Sequence, residues 1–597
     1  MLPGRRWLFW LVLSSMVVAS LQSQTSTPDS TDVRPTFKAS ARVVVVDVVV
    51  TDRNDEPVQG LHKEDFQVLE DGQPQTVSFF EERTGAAPAA TKPPSLPPNT
   101  FSNLPRTDTP DSLNVLLLDA LNTPLQDQSY VHKKMIDYLA GIHPGTRLAI
   151  FTLSSRLRLI QGFTTDPALL LAALNDKKSG PQASPLLRSS AEINANQQLL
   201  GQMESGYASP ASIDALRQFM AETNAFQTNS RVADTLFQLQ QLALYLGGFP
   251  GRKNVIWFSG GFPFNIFQPS LENPNAEEIR KTADQLTKAQ VAIYPVEAGG
   301  LLYSLYDASS LPTNVNATAQ QATHAQVKDL QRDIGQRNGD HATMDEMAKD
   351  TGGEAFYNTN GLDDALSRAM HNGARYYTLD YTPADANMDG RYRRIQVKLA
   401  QGNYNLAYRR GYNTDDTNTA PAIGQKPATD PLQPLMALGM PDFAQIVYLM
   451  SVVPSNPQPD PKAPRAGDNA KFEGLFTRFG VDFAIKEKDL KLGATSDGIR
   501  HGSLELTLVA YDHYGHPMNW MVREMEFSLN PERYAAFEQV GLQLHLEIDA
   551  PRGSAYLRSG GYDSASGKAG TLEIPLIAPA IAPATASSHA APPAKPN

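Results

Sequence analysis

LNVLLLDA, Leu113 to Ala120, and NVIWFS, Asn254 to Ser259, decide the fold. Each is a short apolar run ending near a polar residue, Asp119 in the first and Ser259 in the second. An apolar run without alternation is what a strand buried on both faces needs, and such strands belong to parallel sheets covered by helices. Helical spacing follows the first run from Gln126 to Ala140. TRLAIFTL and RLRLIQGF then flank Ser154-Ser155, as in a hairpin at a sheet edge. Asp166-Pro167 reads as an N-cap and first turn. Val232–Leu246 precedes the second strand, and a helix near Glu277–Ala289 leads to VAIYPVEA. Thr343–Asp350 is a helix stopped by Gly352-Gly353, EAFYN a strand, and Leu362–Met370 a helix. Repeated strand–helix units of this kind predict an α/β, doubly wound, Rossmann-like and mostly parallel sheet over 112–412. An insertion at 176–228, rich in Ser, Gln, Asn and Ala, and a β tail at 374–412 complete that region.

The flanks read as β structure. Residues 36–82 form a small β (Ig-like) module: Val43–Val50 is β-branched apart from Asp47, and Asp71-Gly72 is a hairpin signal, since both residues of a type I′ turn need positive φ. Seven prolines between 88 and 110 make 83–111 an extended, unpaired linker. After a polar linker at 413–432, the runs IVYLMSVVP, VDFAIKEKDL, LELTLVAYD, WMVREMEFSL, LQLHLEID and TLEIPL predict a C-terminal β-sandwich over 433–577. The Ala/Pro-rich 578–597 reads as a disordered tail. One internal echo stands out. Val48–Asp52 with Pro57-Val58 matches Leu508–Asp512 with Pro517-Met518 at a constant offset of 460 residues, as if two sandwich modules bracketed the α/β region.

Composition narrows the function. Asp and Glu number 63 against 52 Lys and Arg, a net charge of −11, which excludes a general nucleic-acid binder. Cys is absent, which removes disulfides, thiol catalysis and thiolate metal sites. Arg5 and Arg6 precede the apolar stretch Trp7–Ala19, with Val18 and Ser20 small enough for processing, so 1–20 reads as a signal peptide. The protein is therefore expected outside the cytoplasm, in the periplasm, secreted or at the cell surface, with no membrane span after cleavage. No Walker loop and no GxGxxG occurs.

VLLLDALNTP (115–124), GRKNVIWFSGGFP (251–263) and MDEMAKDTGGEAFYNTNGLDDAL (344–366) resemble a von Willebrand factor type A (vWA) domain. With VVVVDVVVTDRNDEPVQGLHKEDFQVLEDGQPQTV before them and YYTLDYTP, DGRYRRIQVKLA and YRRGY after them, the stretch 36–412 is similar to exported VWFA-related domain proteins of the acidobacterial type. The resemblance implies a vWA-like fold and a role in protein–protein adhesion or assembly. It also implies a metal-ion-dependent adhesion site (MIDAS), built from Asp-x-Ser-x-Ser, a Thr and a second Asp. Against that pattern Asp119 fits the first Asp and Thr123 the last hydroxyl. Leu121 replaces the first Ser, and Ser259 stands where the second Asp belongs. Thr228 or Ser230 is the nearest second-loop hydroxyl. One carboxylate remains where the motif has two, so Mg²⁺ or another divalent cation would be held weakly, if Asp119, Thr123 and Ser259 hold it at all. Without metal, Asp119 is expected to cap its loop, with Asn122 and Thr123 holding the turn.

Other candidates are weaker. Asp385-x-Asn387-x-Asp389-Gly390 opens like a calcium loop, but Gln396 occupies the place of its bidentate Glu, which favours a hairpin with an Asp389-Gly390 turn. Ser259 lacks the G-x-S-x-G context of a nucleophile, and the eleven His show no HExxH spacing. Trp257 and Tyr294 read as core, and Arg391, Arg393, Arg394, Arg409 and Arg410 as a solvated basic face, with a surface for an acidic partner as the alternative. The expectation is an exported, non-enzymatic interaction or scaffold protein with a degenerate MIDAS, contacting a protein partner through Asp119, Asn122, Thr123 and Ser259. The alternatives are a divalent-metal-dependent adhesin with a weakened site and, remotely, an extracytoplasmic hydrolase.

Overall fold

A computed structural model describes residues 43–576, apart from 85–95, 106–111, 143–144, 177–183, 188–189, 207, 263–275, 299–337, 358–361, 386, 388, 415–429, 457–463, 470–471, 473 and 496. The expected signal peptide and C-terminal tail lie outside these residues.

The two deciding runs are neighbours in one five-stranded sheet. Its strands are β1 (Ser112–Asp119), β2 (Leu148–Leu153), β3 (Leu157–Thr164), β4 (Arg252–Ser259) and β5 (Val291–Glu297), in the order β5-β4-β1-β2-β3. The pairs β5/β4, β4/β1 and β1/β2 are parallel. β2/β3 is the antiparallel edge hairpin that Ser154-Ser155 foreshadowed. The segment read as the strand EAFYN contributes one parallel bridge, Phe356 to Val296.

Successive β1 side chains enter different cores, as strand pleating requires. Leu113, Val115 and Leu117 pack with α4 (Pro210–Leu246), α5 (Ala276–Lys288) and α6 (338–351). Leu116 packs with α1 (Leu125–Ala140), α2 (Pro167–Asn175) and α7 (Leu362–Ala374) on the other face. Asp166 does cap α2, its Oδ1 accepting from Ala168 N at 2.9 Å. The expected insertion boundary at 228 is absent. α4 is one 37-residue helix, N-capped by Ser209 and joined at its N-terminal side by α3 (Ser190–Ser205).

The β tail is where the expectation fails. It does not close the α/β unit. Tyr376–Tyr381 inserts between Val44–Thr51 and Val77–Arg83, and Tyr392–Leu399 pairs with Phe66–Glu70 and Gly411–Asn413. The 36–82 segment and the tail therefore share one two-sheet unit, whose core holds Val46, Val48, Val68, Tyr377, Leu379, Tyr381, Ile395 and Val397. The physical reason is that neither half has enough strands to bury its apolar face alone. Asp71-Gly72 makes the expected two-residue turn, with φ of 47° and 82°. Asp389-Gly390 does not close a hairpin, because the strands on either side of it lie in different sheets.

The proline-rich linker is not wholly unpaired either. Thr100–Ser102 is an edge strand beside Tyr448–Asn456, and buried Asn103 bonds Phe443, Ile446 and Tyr448. The C-terminal strands form two antiparallel sheets around Tyr448, Val481, Phe483, Leu506, Leu508 and Leu557. Tyr556–Asp563, whose run is interrupted by Gly560-Gly561, is a central strand. A Cβ at Gly560 would stand 2.6 Å from Met436 Sδ, so the glycine makes room for the connecting segment.

The 460-residue echo extends to the turns themselves. Asp52 Oδ1 accepts from the backbone of Asn54 and Glu56, and Asp512 Oδ1 from Tyr514 and His516. Asp52 N donates to Glu56 O and Asp512 N to His516 O. Asp55 and Gly515 both have positive φ, and Thr51–Pro57 and Tyr511–Pro517 are equivalent pairs.

Candidate functional site

Asp119, Ser259 and Glu297 end the neighbouring parallel strands β1, β4 and β5. This is the edge at which open α/β sheets take their ligands. The loop after β1 turns back under Asp119. Asp119 Oδ1 accepts from Leu121 N at 3.0 Å and Asn122 N at 2.9 Å. Oδ2 accepts from Asn122 Nδ2 at 3.0 Å, Trp257 Nε1 at 3.2 Å and Ser259 Oγ at 2.8 Å. Thr123 Oγ1 accepts from Gly260 N at 2.8 Å, which joins the β1 and β4 loops. Gln128 of α1 closes the turn by donating to Thr123 O at 2.7 Å.

The four residues singled out in the sequence thus converge, but they do not make a contact face. Asp119, Asn122 and Thr123 are each 2% exposed and Ser259 is 0% exposed. They hold the loops from beneath. Burial pushes the Asp119 carboxyl above the ordinary carboxylate range, and the bonds from Asn122, Ser259 and Trp257 pull it back. Ser259 Oγ lies 2.8 Å from Asp119 Oδ2 and 2.7 Å from Gly261 O, with one hydrogen for two acceptors. A proton on Asp119 would satisfy both by donating to Ser259 Oγ.

These residues do not fit a divalent cation. A carboxylate offers about four lone-pair positions, and five donors of the chain itself surround this one. The Leu121 side chain brings no oxygen, and Mg²⁺ requires near-octahedral oxygen ligands. Among the described residues no group of three His, Asp or Glu is placed to hold a metal ion.

The sequence reading missed what α4 contributes. Thr228 and Ser230 lie within that helix. It is Thr235 that meets the loop, accepting from Asn122 Nδ2 at 3.0 Å, with Arg231 Nη1 3.4 Å from Asn122 Oδ1. Thr228, Arg231, Thr235 and Gln238 recur at helical spacing, and that polar stripe was the available signal. Trp257 is core as expected, yet its indole N–H is spent on Asp119.

Elsewhere, the calcium-like stretch surrounds a guanidinium: Arg393 lies 2.6 Å from Asp385 and 3.6 Å from Asp389. The basic cluster divides. Arg391 is exposed, whereas Arg409 donates to Val45 O inside the molecule.

No family model matches the chain, and no curated protein matches it. Among solved structures, an aerotolerance-related membrane protein from Bacteroides fragilis is similar over 44% of this chain and 98% of its own, at 11% identity and a TM-score of 0.21. The manganese-loaded TRAP protein of Plasmodium vivax matches over 52% and 97% at 8% identity, TM-score 0.20. A von Willebrand factor type A protein from Catenulispora acidiphila matches over 52% and 66% at 10% identity, TM-score 0.15. At such scores the likeness carries no argument about this chain. No described helix is long and apolar enough to cross a membrane.

Proposed function

We propose that this protein is an exported, non-enzymatic interaction or scaffold protein. In this reading a vWA-like sheet presents its β1 and β4 loops to a protein partner, and the metal of a MIDAS has been replaced by internal hydrogen bonds. One observation carries it: Asp119 stands at the ligand-binding edge of a parallel sheet, yet both its oxygens are taken by donors of its own chain. Rigid loops at that edge suit docking, and nothing at Ser259 suits catalysis, because its hydroxyl faces Asp119 and Gly261 O. Thermal melting in EDTA against excess Mg²⁺ or Mn²⁺ tests the reading. Equal melting temperatures are expected. A rise of several degrees with metal that disappears in Asp119→Ala would replace it with a metal-dependent adhesin, since a ligand bound only by the folded state stabilises that state.

A further inference from the structure

The strongest unexplained group at this edge is Arg231. It is partly buried on α4, and its Nε is a buried donor with no hydrogen-bond partner. Its other contacts are long: Nη1 to Asn122 Oδ1 and Nη2 to Thr228 Oγ1, both 3.4 Å. Asp119 and Asp340 influence its charge, but among the described residues no carboxylate lies within ion-pair distance of it. A guanidinium has five N–H donors in a planar fork, and a buried donor without an acceptor is costly. Native proteins leave few such donors unmet, and each one calls for an explanation. Burial lowers the affinity of Arg231 for its proton, and the Asp119 and Asp340 charges oppose that shift from beyond ion-pair distance.

We propose that the Arg231 guanidinium receives a carboxylate side chain of the partner protein, at the edge formed by the β1–α1 loop and α4. The proposal rests on the interaction reading above and names the chemistry of its partner. A carboxylate matches the fork with two parallel N–H···O bonds, which are charge-assisted and set direction. Asn122 fixes the position of the guanidinium. Asn122 is itself held by Asp119 and Thr235, so the buried network acts as the support of the site.

Fluorescence anisotropy of a labelled tetra-aspartate peptide, titrated with the full chain at low salt, tests this. The net charge of −11 opposes non-specific capture of an acidic probe, so binding reports a local site. Saturable binding is expected, unchanged by EDTA, with the dissociation constant raised at least tenfold in Arg231→Gln and at least threefold in Arg231→Lys. Three results would overturn the proposal: no saturable binding to the unmodified chain, binding abolished by EDTA, or equal displacement by millimolar inorganic phosphate. If Arg231→Gln fails to fold, Arg231→Lys decides, and affinity equal to that of the unmodified chain sinks the idea. The metal-dependent melting above is a separate measurement, so the peptide result can fail while the broader reading stands.

Discussion

Asp119 gathers five hydrogen bonds in a place closed to water, so its worth should be structural and large. Asp119→Ala removes the acceptor of Asn122 N and one acceptor each from Asn122 Nδ2 and Trp257 Nε1, whereas Leu121 N keeps Leu153 O and Asn122 Nδ2 keeps Thr235 Oγ1. Each buried donor left unmet costs about 1–3 kcal/mol, so denaturant unfolding should show a loss of ~2 kcal/mol or more. Asp119→Asn keeps an acceptor and should lose clearly less. Equal losses in the two variants would mean that the hydrogen bonds do not carry the effect. Gly260 is equally constrained: a Cβ there would stand 2.9 Å from Pro124 Cδ and 3.1 Å from Thr123 Cα, where β4 meets the start of α1. Lys253 of β4 gives the residue-scale pH prediction. It is 1% exposed, and its Nζ donates to Ala289 O at 2.8 Å. Burial pushes its ammonium down to about 7, with the Asp47 charge opposing. The unfolded chain holds that proton up to about pH 10, so between about 7 and 10 it binds more protons than the folded state and stability rises with pH. Lys253→Met should flatten that rise and melt several degrees higher at pH 6. A melting temperature with the same pH slope in both proteins would refute the assignment.

Helix α4 shows how one element can serve two environments. From Val232 to Leu246 it is mostly buried against β1 and β4, whereas no residue from 210 to 230 is buried, and Phe219 and Phe226 are 66% and 68% exposed. Helical hydrogen bonds continue through both halves, but tertiary packing supports only one. Native-state hydrogen exchange should therefore split the helix near Arg231, with amides of 212–228 opening at far lower free energy than those of 236–246. Uniform protection along α4 would mean that the exposed half is held by something other than this packing. The end of the helix is fixed by a close approach, since a Cβ at Gly248 would lie 2.9 Å from the Ala444 carbonyl carbon. Tyr245 meets Phe443 edge-on at 6.1 Å in the same contact.

Across the whole molecule, the chain returns to itself twice. The tail strands 376–413 complete the sheets begun by 44–83, and Thr100–Ser102 joins a sheet built from residues beyond 447. A fragment of residues 112–412 should consequently be insoluble or expanded, because Tyr376–Tyr381 loses both neighbours and exposes Tyr377, Leu379 and Tyr381. Residues 36–412 should restore soluble yield. Equal solubility of the two fragments would show that the tail does not depend on the N-terminal strands. What the sequence determined by itself was local: which runs are buried strands, where Asp166 caps a helix, where Asp71-Gly72 turns, and that Asp119 and Ser259 close apolar strands. Those features follow from side-chain periodicity and backbone sterics, which act over a few residues. Only the tertiary structure decided which strands share a sheet, that the four loop residues are buried beneath the edge, and that Arg231 reaches it. Partner choice between distant strands depends on how much apolar face each must cover, and the reach of α4 depends on where the sheet supports it, and no local pattern encodes either.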